Sequence, residues 1–191
     1  MSSVDMDNTV NKLLLVIFIL ILCSSCVTEE INYSSFLIPS SIFVEEDVIF
    51  GFLKMDITLK TPYGEMKIAA IGRESGYFFD FSCYKNGNLK MIWLKEEKTI
   101  FYNNMYITLP VFEPDKLMSV VFFDNFNIQT CIATNEVIYL GTKIPANTCF
   151  HFNKDGTLRS FTLYQDWIFE NILYLDGQQF HIIDEKIIPW K

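Results

Sequence analysis

The chain has 191 residues, half of them apolar and 16% aromatic, and a formal net charge of −8. That length fits one domain with a tail, and the apolar content excludes a disordered chain. The acidic balance, with no basic cluster anywhere, excludes a nucleic-acid phosphate backbone as partner. The first element in chain order is "KLLLVIFILILCSSC", whose unbroken apolar run from Leu13 to Cys23 spans 11 residues. A bilayer-spanning helix needs about 20, so the run reads as the core of a signal peptide. Beyond residue 30 no sustained 3.6-residue apolar stripe occurs, and only Pro114 to Val121 suggests a short helical turn. Asn86-Gly87 and Asp155-Gly156 read as two-residue hairpin turns of type I′, which need positive φ at both positions. β-branched and aromatic residues fill their flanks, as strands prefer.

Ser24 and Ser25 followed by Cys26 resemble the lipobox of bacterial lipoproteins, with Cys23 standing where that family usually has Leu. The resemblance implies cleavage before Cys26 and a diacylglyceryl group on its thiol. An uncleaved signal anchor and an ordinary secretory signal remain open as alternatives, and all three put the globular part outside the cytoplasm. The expected divisions are a signal peptide at 1–25, a tether at 26–41 and a β-hairpin repeat domain at 42–191. Removing residues 1–25 takes away two acidic residues and one basic, leaving 21 against 14 and a charge of −7. Cys83, Cys131 and Cys149 then remain beside Cys26, too few for a disulfide scaffold. A Cys131–Cys149 pairing stays open, because sequence spacing fixes no geometry.

Residues 119–148 laid over 149–178 align without a gap. Phe122 falls on Phe152, Ile128 on Leu158, Thr130 on Ser160, Glu136 on Asp166 and Ile138 on Ile168. "FDFSCYKNGNLKMIWLKEEKTI" extends the series, with Gly87 meeting Gly156 and Lys90 meeting Arg159. A fainter copy, "TPYGEMKIAAI", sets Gly64 on Gly87. The predicted fold is therefore all-β: an antiparallel β-hairpin repeat array forming a single twisted or rolled sheet, with little or no helix apart from the N-terminal signal segment. Such repeats bury little alone and depend on their neighbours. The hairpin unit, an apolar strand, a Gly turn, Leu-Lys/Arg and a second apolar strand, resembles bacterial MORN-variant repeats over roughly 57–182. That resemblance carries no catalytic residues.

Alternation along "FHFNKDG" puts Phe150 and Phe152 on one face of a strand and His151 on the other. His151 and His181 are repeat-equivalent, but no third histidine exists to complete a metal site, and a solvent-facing or edge position is expected for both. Cys83 and Cys131 fall at positions held by large apolar residues in sister repeats and read as core, whereas Cys149 starts a strand and is expected to be more exposed. "NKDGT" lacks the carboxylates of a calcium loop, and "GRESG" misses the nucleophile-elbow spacing. No catalytic residue, metal or cofactor is assigned. Tyr84, Trp93, Tyr164 and Trp167 are the candidate binding residues, since aromatics on a non-core sheet face can stack on a glycan or receive a protein. The expected function is a lipid-anchored, extracytoplasmic envelope protein with a non-catalytic structural or binding role, its lipid on Cys26 and its membrane contact through that anchor. An envelope hydrolase built from scattered acids and a signal-anchored protein with the same ectodomain are the alternatives.

Overall fold

The computed structural model describes residues 35–72, 79–113 and 119–190. The expected signal peptide, Cys26 and the first part of the tether lie outside the described residues, as does 114–118 of the expected helical turn. Val120 and Val121, at the end of that stretch, are in a strand.

The elements run as hairpin after hairpin. β1 (Phe43–Glu45) and β2 (Val48–Gly51) form the first, β3 (Ile57–Thr61) and β4 (Gly64–Ile68) the second. β5 (Phe81–Tyr84) pairs with β6 (Leu89–Ile92), and β7 (Lys98–Tyr102) with β8 (Met105–Leu109). β9 (Val120–Phe122) and β10 (Ile128–Ala133) precede β11 (Val137–Tyr139) and β12 (Thr142–Ile144). β13 (Thr148–Phe152) and β14 (Leu158–Leu163) precede β15 (Trp167–Phe169) and β16 (Ile172–Tyr174), and β17 (Gln179–Ile183) with β18 (Lys186–Pro189) comes last. Only alternate hairpins enter the main sheet. It has ten antiparallel strands in the order β1-β2-β5-β6-β9-β10-β13-β14-β17-β18. The hairpins β3-β4, β7-β8, β11-β12 and β15-β16 are separate two-stranded sheets inserted between them. The repeat is therefore a pair of unlike hairpins, and the Gly64 turn belongs to an inserted hairpin although its sequence aligns with the sheet turn at Gly87.

The sheet turns differ from the type I′ expectation. Gly87 and Gly156 have φ of 86° and 90°, but Asn86 and Asp155 are absent from the positive-φ residues. Gly87 N–H donates to Tyr84 O at 2.9 Å and Gly156 N–H to Asn153 O at 2.9 Å. Each is a type I turn closed by a left-handed residue, followed by a register shift that turns the next strand. In the β9-β10 turn that left-handed position is held by Phe126, with φ of 68°. True type I′ pairs, positive at both residues, occur at Asn103-Asn104, Leu140-Gly141, Glu170-Asn171 and Asp184-Glu185.

The folded body begins before residue 42, where the tether was expected to end. Leu37 is fully buried and bridges to Leu53, and its side chain lies so close to Gly51 that a Cβ there would meet it at 3.0 Å. Pro39–Ser41 form a short 3-10 turn behind it.

Cross-strand pairing builds the core. Cys131 faces Phe150, Phe150 faces Phe161 and Phe161 faces Phe180, and all four are fully buried. The inserted hairpins lie over this face. Tyr102 of β7 meets Phe152 edge-on at 4.9 Å, and Trp167 of β15 meets Phe180 edge-on at 5.3 Å. Each buried Phe supplies about 2–3 kcal/mol of apolar transfer. Among the described residues no helix is long and apolar enough to cross a membrane.

Candidate binding face of the sheet

Because side chains alternate along a strand, the residues between the core phenylalanines point to the opposite face. The pairings connect them into a row: Val121 to Thr130, Thr130 to His151, His151 to Ser160, Ser160 to His181 and His181 to Ile188. The same row continues towards the first edge through Met91 and Ser82 to Phe50 and Phe43. Most of it is half-buried, whereas the core row on the other face is closed to solvent.

The polar groups of the site gather where β10, β13, β14 and β17 lie side by side. The His151 ring stands between Thr130 Oγ1, 3.3 Å from Nδ1, and Cys149 Sγ, 3.8 Å from Nε2. Burial and then the Arg159 charge push the His151 pKa below its usual 6.5, so the ring is neutral at pH 7. Burial pushes the Cys149 thiol up to about 11, with the Tyr164 hydroxyl acting weakly in the other direction. The pair is a neutral thiol beside a neutral imidazole, without the thiolate a cysteine nucleophile requires. Ser160 is buried between the two histidines, and neither its Oγ nor His181 Nε2 has a hydrogen-bond partner. The indole of Trp190 stacks on the His181 ring at 4.3 Å and 29°. Among the described residues no group of three or more His, Cys, Asp or Glu side chains is arranged to hold a metal ion.

The sequence candidates are dispersed. Trp93 is buried and meets Phe112 edge-on at 5.4 Å, so it is core and offers no binding surface. Trp167 stacks on Phe169 at 4.8 Å and packs edge-on against Phe161 and Phe180, on the covered face. Tyr84 is half-buried, donates its hydroxyl to Phe122 O at 3.0 Å and lies under the Lys90 ammonium at 5.1 Å. Tyr164 is the exposed member of the set, beside Cys149 at the edge of the polar cluster. Cys83 and Cys131 are buried as expected, and burial pushes Cys83 up to about 12. Cys149, expected to be more exposed, is buried too. Cys131 pairs with Phe150 and Cys149 with Ile132, so consecutive pairings send the two sulfurs to opposite faces and all three cysteines are free.

The histidines are half-buried, not solvent-facing, and share a face with one serine between them. Sequence reasoning missed Ser160 and Trp190. The available signal was the repeat itself: Ser160 aligns with Thr130, and alternation puts both on the histidine face. No protein family, characterised protein or solved structure matches this chain.

Proposed function

We propose that this is a lipid-anchored, extracytoplasmic envelope protein with a binding or structural role, not a catalyst. The observation that carries the binding role is the asymmetry of the sheet. One face is sealed by inserted hairpins, while the other presents a half-buried row of mixed aromatic and polar groups around His151, His181 and Trp190. Aromatic surfaces with adjacent hydrogen-bonding groups suit a glycan or a protein segment. Neutral Cys149 and His151 favour recognition over nucleophilic chemistry. The anchor rests on the "LCSSC" sequence, and a diacylglyceryl group with an amide-linked acyl chain would give the two-chain attachment that stable retention needs. The repeat pattern's resemblance to MORN-variant hairpins accords with a scaffold role.

Mass spectrometry of the N-terminal peptide from cells expressing the full chain tests the anchor. An acylated peptide beginning at Cys26, and release of Cys26→Ala into the soluble fraction, are the expected results. A peptide beginning at Met1 or Met6, with Cys26→Ala retained in membranes, would replace lipidation by a signal anchor.

A further inference from the structure

The two ends of the ten-stranded sheet are complementary, and we infer that copies of this chain associate head to tail, β18 of one against β1 of the next. Among the described residues nothing pairs with the outer edge of either strand. At the tail, Trp167, Phe169 and Tyr174 of the last inserted hairpin pack on Phe180, but the turn end of its inner face is uncovered. Met105 in β8 and Ile172 in β16 hold the same hairpin position, each paired across the turn with the last residue of the preceding strand. Met105 is 0% exposed, while Ile172 is 54% exposed. Beside it a cavity of about 380 Å³ is lined by Leu140, Phe169, Glu170, Ile187 and Ile188 among others. The earlier inserted hairpins show what belongs there. The Tyr63 hydroxyl of the first donates to Phe126 O in a sheet turn at 2.8 Å, and the Tyr102 hydroxyl of the second lies 3.1 Å from where a Cβ on Gly156 would sit. Each reaches forward to a sheet hairpin, and the last one has none to meet among the described residues.

At the head, the first sheet hairpin presents what that socket lacks. Phe43 and Val44 are each 50% exposed on β1. The hydrogen-bond phase of both edges is fixed. The tight turn at Glu46-Asp47 pairs Glu45 with Val48, so the backbone groups of Val44 point outward. On β18, Trp190 N–H donates to Gln179 O at 2.8 Å, which leaves Ile187 as the outward residue. Joining these two in antiparallel register continues the rows already present. Ile187 meets Val44, Ile188 meets Phe43, and Lys186 meets Glu45. That register sets apolar against apolar twice and ammonium against carboxylate once. Pro189, which has no N–H to give, falls opposite Ile42, whose own N–H already bonds to Pro39 O at 3.4 Å. A contact between unlike ends is heterologous, so a dimer keeps one free head and one free tail, and association continues beyond it into a chain or ring of copies.

Cross-linking of the full chain in membranes tests this with Val44→Cys and Ile187→Cys. The expected result is a ladder of dimers, trimers and higher species for the double variant under mild oxidation, and none for either single variant. No ladder, or a dimer from a single variant alone, overturns the head-to-tail contact. Reversing one charge, Glu45→Lys or Lys186→Glu, should lower the cross-linked fraction about fivefold, and combining the two should restore it. These exposed positions serve as the control for folding, because restoration by the double reversal excludes misfolding. Failure of the combination to restore the ladder would overturn the proposed register. An unacylated Cys26 carries a free thiol, so each ladder is scored against the parent chain, which has Cys26 but neither introduced cysteine.

Discussion

Asn88 donates its side-chain amide to the carbonyl oxygen of Asp124 at 2.6 Å, tying one sheet turn to the next, and Asn127 repeats the contact on Lys154 O at 2.9 Å. Asn86 and Asn125 add a second donor to the same two carbonyls. Within each turn Asn86 and Asn125 also accept the N–H two residues on, at 3.0 Å in both cases, so the donors are held in place by their own backbone. The ladder stops at Asp155-Gly156-Thr157, where the side chains bond to each other. Asn88→Ala and Asn127→Ala should each lower stability by about 1 kcal/mol, read as a fall in urea midpoint with unchanged slope. Unchanged midpoints in both variants would contradict the ladder.

Phe126 occupies a left-handed conformation that its counterparts give to glycine. A side chain there costs about 1–2 kcal/mol of local strain. Phe126→Gly should therefore raise stability, by about 0.5–1 kcal/mol after the entropy of the new glycine is counted. Gly156→Ala should act in the opposite direction, by about 1–2 kcal/mol, because the position has φ of 90° and a Cβ would press on the Tyr102 hydroxyl. Thermal melts of the two variants check both signs.

His151 gives the fold a pH dependence with a definite sign. Its folded pKa lies below 6.5, so between that value and 6.5 the unfolded chain binds more protons than the folded one. Its contribution is complete above about pH 6.5 and is lost as pH falls through the folded value. The groups around the ring are Thr130, Cys149, Ser160 and Arg159, none of which is an acid that would stabilise the imidazolium. His151→Gln should flatten the decline of stability between pH 7 and pH 5, measured by urea titration at each pH. An unchanged slope would place the effect elsewhere.

The cysteine thiols should be inert in the native protein. Cys83 is pushed up to about 12 and Cys149 to about 11 by burial, and Cys131 is pushed up further by the same cause. Alkylation of Cys83, Cys131 and Cys149 at pH 8 should be slower than in urea by on the order of a hundredfold or more. Stability should be the same with and without reductant, because the sulfurs of Cys131 and Cys149 lie on opposite faces.

Phe150→Ala should cost about 3–5 kcal/mol, the loss expected when a buried ring leaves a cavity. Its neighbour Thr130, on the half-buried face, should tolerate Ala within about 1 kcal/mol. Chemical denaturation separates the two, and near-equal losses would contradict the asymmetry of the sheet.

The sequence by itself determined the all-β class, the hairpin repeat and the inward direction of Phe150, Phe152 and Phe161. Those properties are local: strand alternation and turn residues act over a few positions and need no partner. It also placed Cys83 and Cys131 in the core, because the repeat aligns them with large apolar residues. The tertiary structure alone decided which hairpins enter the sheet. Gly64 and Gly87 carry similar sequences but lie in unlike hairpins, since membership of the sheet depends on which strands meet across long stretches of chain. The same limit hid the site. His151 and His181 are neighbours of Ser160 only because β14 lies between β13 and β17, and Trp93 is lost as a binding residue because it is buried against Phe112. Pairing between distant strands is a property of the assembled sheet, and no local pattern records it.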